Sequence, residues 1–233
     1  MKKTFLFVFL VSSALLNAQN MTNELLVKKS VQYHDPNDEW QTFKGQFIIK
    51  SEKEPVELTL DNALGIAHWS EVLKNGDTLT GGFVHKDTCI VRRNGKDIPP
   101  KGELENFFLD CKSIIERTNY WIYMYGLPMK LDDNQVNFVG NPQLTTFQEE
   151  KLWVLKVNYN LTQSEEYWKF YFDPRTFALR IAQFFHPALH PDSEYIIYHE
   201  IEKINGIVIP TKHSWYLFNK KEFIGSEKLI KKQ

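Results

Sequence analysis

The chain has 233 residues, with 28 Lys+Arg against 29 Asp+Glu, a net charge of −1 and a pI near 6.7, so it carries no charge excess that would draw it to nucleic acid or to an anionic membrane surface. Hydrophobic residues make up 42% and aromatics 14%, too apolar and too aromatic for a disordered chain and ample for a packed core. No catalytic or metal motif stands out, so the functional reading rests on compartment, fold and apolar surface.

The first residues set the compartment. Lys2 and Lys3 precede an apolar run from Phe5 to Leu16, and Asn17-Ala18-Gln19 closes it with a small residue, the pattern of a secretory signal peptide. The run is shorter than the ~20 residues that span a bilayer, and polar sequence follows it directly. Residues 1–18 are therefore read as a signal peptide and 19–233 as one mature domain, exported to the periplasm or beyond, with no stable membrane anchor. Neither Cys89 nor Cys111 lies near the cleavage site, so no candidate exists for a lipid-modified cysteine. In an oxidising compartment the two could form one disulfide or remain buried, inert thiols, and the sequence leaves both open. Neither has a further Cys or His at zinc-ligand spacing, so no metal is expected.

In chain order, Thr22 caps a first helix whose apolar side is Leu26, Val27, Ser30, Val31, Tyr33 and His34, ending at the turn His34-Asp35-Pro36-Asn37. Strands are predicted over Trp40 to Lys50 and over the alternating Val56, Leu58 and Leu60. Asn75-Gly76 and Asn94-Gly95 read as type I′ turns of an antiparallel meander from Gly65 to Ile98. After Pro99-Pro100, the spacing of Leu104, Phe107, Phe108, Cys111, Ile114 and Ile115 predicts a helix. A second, aromatic helical segment, Tyr120 to Tyr125, closes at Gly126 and Pro128.

From Lys151 the pattern returns to strands: Leu152 to Tyr159, Tyr167 to Phe172, Phe177 to His186, Tyr195 to Ile204, Val208 to Phe218 and Glu222 to Ile230. Tight turns at Asp173-Pro174-Arg175-Thr176 and Asn205-Gly206, with no crossover helices, make the sheet antiparallel. About ten strands must curl or close. The fold expected is α+β: a single domain in which a strongly curved antiparallel half-barrel wraps two or three helices.

Several strands are apolar on both faces. Trp168, Phe170 and Phe172 alternate with Tyr167, Lys169 and Tyr171, and Phe177 to Phe185 repeats the pattern. A sheet with one wet face does not look like this, so the second face is covered or lines an apolar cavity.

Tyr33-His34-Asp35-Pro36 before Trp40, Tyr125-Gly126-Leu127-Pro128-Met129-Lys130-Leu131, Phe170-Tyr171-Phe172-Asp173-Pro174 with Ala178-Leu179, and Gly206-Ile207-Val208-Ile209-Pro210 before Trp215-Tyr216 together resemble an uncharacterised family of secreted bacterial proteins. The family implies no established activity. In the order of its elements the chain also resembles the periplasmic carriers that sort lipoproteins to the outer membrane. That likeness implies helices lidding a half-barrel around a cavity for acyl chains.

These readings combine into a non-catalytic protein that binds or carries a hydrophobic small molecule or acyl chain, with no cofactor and no nucleic acid. Candidate lining residues are Phe107, Phe108, Trp121, Tyr125, Leu127, Met129, Trp168, Phe170 and Phe172, and the Leu127 to Leu131 segment is a candidate gate. One alternative is a secreted hydrolase using His34, Asp35 or His186, although neighbours at a helix end do not face each other and Asp before Pro is a turn-former. His186 and His190 sit among prolines that exclude a shared helical face for a metal. Gly81-Gly82 is followed by no phosphate-cradling helix, Asn160-Leu161-Thr162 reads as a loop, and no Gly-x-Ser-x-Gly elbow occurs. A second alternative is a protein-binding module that meets its partner through exposed aromatics.

Overall fold

Thr22 begins α1 (Asn23–His34): its hydroxyl accepts a hydrogen bond from the Leu25 amide, and Glu24 sits in the first turn, where the helix dipole favours it. Leu26, Val27, Ser30 and His34 are the buried side. These features come from a computed structural model that describes residues 21–86, 88–105, 107–132, 136–159, 167–185 and 193–232. The predicted signal peptide, Asn160-Leu161-Thr162, His186 and His190 lie outside the described residues.

Asp35 ends the helix, its two carboxylate oxygens accepting the Glu39 and Trp40 amides at 2.8 Å each. Those bonds fold Trp40–Thr42 into a 3-10 turn, so the strand expected from Trp40 starts at Lys44 instead. Then come β1 (Lys44–Lys50), β2 (Val56–Asp61), β3 (Ile66–Val72), β4 (Thr78–Val84), β5 (Thr88–Arg93) and β6 (Lys96–Asp97). Asn94 and Gly95 both have positive φ (51° and 74°), as a type I′ turn requires. At Asn75-Gly76 only Gly76 does, because the Asn75 side chain caps a wider turn by accepting the Asp77 amide.

The helix expected from Leu104 is corrected. Glu103–Leu104 (β7) and Phe107–Phe108 (β8) pair as a small hairpin, and α2 (Cys111–Gly126) starts only after Asp110. The Asp110 carboxylate accepts both the amide and the hydroxyl of Ser113, a cap that the apolar spacing concealed. The aromatic segment Tyr120 to Tyr125 is the second half of this same helix. Cys111, its first residue, is disulfide-bonded to Cys89 on β5 with Cα atoms 5.6 Å apart, which settles the open cysteine question.

The rest is strands: β9 (Asn137–Phe138), β10 (Gln143–Phe147), β11 (Glu150–Asn158), β12 (Tyr167–Phe172), β13 (Leu179–Phe185), β14 (Glu194–Ile204), β15 (Ile207–Leu217) and β16 (Glu222–Lys231). Asn205 and Gly206, at φ of 47° and 89°, make the β14–β15 turn that their sequence predicts. Among the described residues the main sheet has fourteen antiparallel strands, ordered β10 to β16 and then β1 to β6, with β9 also paired to β11. It is not closed. Only the β16–β1 pairing joins strands distant in sequence. The count exceeds the expected ten partly because short strands such as β6, β9 and β10 show little apolar alternation.

Two inward rows follow from the register. Phe47, Leu58, Trp69, Gly81 and Val91 align across β1 to β5, and Leu155, Phe170, Ala182 and Ile196 align across β11 to β14. Both rows join one core with α1 and α2. Gly81 is where α2 seats: a methyl there would lie 2.5 Å from the Trp69 ring and 2.9 Å from Ile114 Cδ1. Farther along the same helix, Tyr123 meets Trp168 of β12 edge to face, with centroids 6.0 Å apart.

The opposite face explains the two-sided aromatic strands. Val154, Tyr171, Ile181 and Ile197 align there, and Phe147 covers Tyr171 and Tyr195 at 4.9 and 5.4 Å, forming a second, smaller apolar cluster.

Candidate functional site

The apolar second half of α2 faces the inner side of β14 to β16. Trp121 stacks on Tyr125 (6.3 Å), Tyr125 stacks on His213 (4.8 Å), and Tyr198 meets His213 edge to face (4.8 Å). Register places Tyr198 opposite His213 and His213 opposite Glu227, one inward residue from each of three neighbouring strands. The Tyr125 hydroxyl donates to Glu227 Oε1 at 3.2 Å, and His213 Nδ1 lies 3.2 Å from the same oxygen. His213 Nε2 is 3.2 Å from the Pro210 carbonyl. The imidazole and carboxylate are thus almost wholly enclosed in an aromatic stack, at side-chain exposures of 1% and 11%.

Beside this stack lies a cavity of about 370 Å³ between α2, the turn at residues 51–54 and the β15–β16 pair. Tyr120, Trp121, Trp215, Val56 and Ile224 supply its apolar surface, with Arg117, Lys53, Glu52, Glu54 and Glu227 around them. Arg117 is committed elsewhere: its guanidinium lies 4.1 Å from the Trp69 ring and 4.5 Å from the Phe107 ring, and it is paired with Glu71. Burial, reinforced by the charge of Glu227, pushes the Tyr125 phenol far up, and burial does the same for Tyr198. At neutral pH these hydroxyls are donors and not bases. The Trp121 indole N–H and the Tyr198 hydroxyl are buried without a hydrogen-bond partner among the described residues. Leaving such a group unmet costs about 1–3 kcal/mol.

Of the nine lining candidates, Trp121 alone lines this cavity, with Tyr125 stacked directly behind it. Phe107 is half-buried under Arg117, stacked on Trp69 at 5.7 Å, and Phe108 is 62% exposed on its hairpin. Leu127, Met129, Phe170 and Phe172 are buried in the main core, and Trp168 is half-buried between Phe170 and Phe184. His213, Glu227, Tyr198, Tyr120 and Trp215 were missed in the sequence.

His34 and Asp35 are taken up by structure. His34 Nδ1–H donates to the Val208 carbonyl at 2.6 Å, and Nε2 accepts the Leu179 amide at 3.0 Å. Both ring nitrogens are bound to backbone, and Asp35 holds the turn after the helix. Neither is placed to act on a substrate. Among the described residues no group of three or more His, Cys, Asp or Glu side chains could hold a metal ion.

The chain belongs to a family of unknown function, DUF6503, whose model matches residues 2–232. No curated protein sequence matches it. Among solved structures it is similar to a LolA superfamily protein from Nitrosomonas europaea, at 12% identity and a TM-score of 0.49, with 90% of this chain and 92% of the other covered. A putative outer membrane lipoprotein-sorting protein domain from Vibrio parahaemolyticus gives 8% identity and a TM-score of 0.43, with 89% of each chain covered. A DUF1329 family protein from Desulfovibrio piger gives 9% identity and a TM-score of 0.38 over 91% and 92% of the two chains. Identities this low assign no residue a role.

Proposed function

We propose that this member of the DUF6503 family is an exported, non-catalytic protein that binds or carries a hydrophobic ligand, a lipid or an acyl chain, on the inner side of its sheet. The observation that carries the reading is the cavity beside Trp121. Apolar and aromatic walls give affinity through burial at about 25 cal/mol per Å².

Reading the open sheet as a half-barrel is part of the same proposal. Flat strands lie about 4.8 Å apart, so β4 and β12, eight steps apart in the order, would stand roughly 38 Å from each other. Yet α2 touches β4 through Ile114 and β12 through Tyr123, nine residues and about 14 Å along its axis. A curled sheet reconciles the two distances. The leader at residues 1–18 and the Cys89–Cys111 disulfide support export to an oxidising compartment, the periplasm or the extracellular space. A carrier reading also fits the sorting function in the name of the Vibrio protein, which belongs to that protein and reaches this chain as a proposal only.

A direct test is titration with N-phenyl-1-naphthylamine, which fluoresces when it enters an apolar site. The wild-type protein is expected to bind it saturably and Trp121→Ser to bind it at least tenfold more weakly, with an unchanged far-ultraviolet circular dichroism spectrum. Equal binding by the variant, or none by the wild type, would contradict the assignment of this cavity.

A further inference from the structure

The mouth of the Trp121 cavity continues into the end of the β15–β16 hairpin. The two strands pair as far as Leu217 and Glu222, and Phe218-Asn219-Lys220-Lys221 forms the turn between them. The register passes from Trp215–Gly225 to Tyr216–Phe223, so Ile224 is the extra residue of a β-bulge. Phe223 packs edge to face on Tyr216 of the outer face at 5.5 Å, while Ile224 and Trp215 wall the cavity on the inner face. Phe218 lies beside Phe147 and Tyr195 on the outer face, with ring centroids 6.0 and 6.2 Å away.

The end of the hairpin is thus apolar on both sides. Phe218, Phe223 and Ile224 are 40%, 51% and 44% exposed, and Tyr120, on the α2 side of the cavity, is exposed to a similar degree. Large exposed apolar side chains gathered in one place mark a contact surface. A protein docked on the sheet would cover one of these faces and leave the other wet, whereas a bilayer that receives the end of the hairpin buries both. Through Ile224 the patch also continues into the cavity proposed for a lipid, so a docked hairpin sets the mouth of that cavity against the membrane. Lys220 and Lys221, beside Glu222 at the turn, have stems that can lie along the apolar layer while their ammonium groups stay among the headgroups.

We infer that the end of the β15–β16 hairpin docks reversibly on a lipid bilayer, placing Phe218, Phe223 and Ile224 in its interfacial layer, so that a ligand passes between membrane and cavity without crossing water. The driving force is apolar burial, so neither a net positive charge on the protein nor an anionic lipid is needed. The choice of a bilayer as the occupant rests on the lipid reading of the adjoining cavity, and the two are tested separately.

Flotation with phosphatidylcholine vesicles reads the docking directly. The wild type is expected to float with them at low and at high salt alike. Phe218→Ser/Phe223→Ser, which leaves the cavity walls intact, is expected to bind vesicles at least tenfold more weakly while keeping its naphthylamine affinity and its circular dichroism spectrum. Trp121→Ser is expected to do the reverse, losing naphthylamine and keeping the vesicles. Flotation of a wild type that binds no naphthylamine would support the docking and contradict the cavity assignment alone. No flotation by the wild type, equal flotation by the double variant, or binding abolished by salt would each overturn the docking. So would a wild-type dimer that ignores vesicles and that the double variant dissociates, since the patch would then belong to a second copy of the chain.

Discussion

His34→Leu is expected to lower the free energy of unfolding by about 3 kcal/mol, because it strips partners from two buried backbone groups at once. His34 is 0% exposed and bridges α1 to both β15, through the Val208 carbonyl, and the start of β13, through the Leu179 amide. Leucine has similar bulk but leaves a donor and an acceptor unmet, each costing about 1–3 kcal/mol. The same residue makes stability pH-dependent. Burial, opposed only in part by the bond to Val208, lowers its pKa from 6.5 to about 4. The unfolded chain therefore takes up the proton first as the pH falls. The stabilisation is complete above the unfolded value of 6.5, is lost progressively down to about 4, and amounts to about 3 kcal/mol at 1.36 kcal/mol per pKa unit. His68 and His199, also lowered chiefly by burial, add in the same direction. Urea unfolding at pH 7 and pH 5 is expected to show the wild type less stable at pH 5 and His34→Leu losing much less between the two. A variant with wild-type stability and the same pH slope would contradict the bridge.

Reduction of the Cys89–Cys111 disulfide is expected to cost about as much. The cysteines are 22 residues apart, and the loop-entropy relation gives about 3 kcal/mol for a closed loop of that size. Its position adds a consequence: Cys111 is the first residue of α2, so the bond fixes the helix start to β5 on the side where Ile114 seats on Gly81. Because α2 also walls the Trp121 cavity, loosening its start is expected to weaken naphthylamine binding. Urea midpoints with and without dithiothreitol, and for Cys89→Ser/Cys111→Ser, measure the effect. An unchanged midpoint would mean that the unreduced loop confers no stability.

The local rules carried much of the fold. Thr22 before an apolar period, the Asn94-Gly95 and Asn205-Gly206 turns and the six alternating segments after Lys151 each follow from short-range chemistry, and each reappears in the structure. The start of α2 did not, because Leu104, Phe107 and Phe108 fit a helical period by coincidence while Asp110, the true cap, lies inside that run. The site was less legible still. His213 and Glu227 meet only through the register of β15 with β16. Conversely, Phe170 and Phe172 looked like a lining because their strand is aromatic on both faces. The reason is two cores on one sheet, the inner around α2 and the smaller outer one under Phe147. Phe218 and Phe223 remain exposed near that outer cluster.

The central claim, that the inner side of the sheet holds an apolar ligand, is tested most directly by native mass spectrometry of the protein isolated from its own periplasm or medium without denaturant. The predicted result is a bound species that organic extraction releases as a lipid and that Trp121→Ser fails to retain. A bare mass that stays bare after incubation with lipids and acylated peptides would contradict the claim and shift the weight to a protein partner on the outer aromatic face.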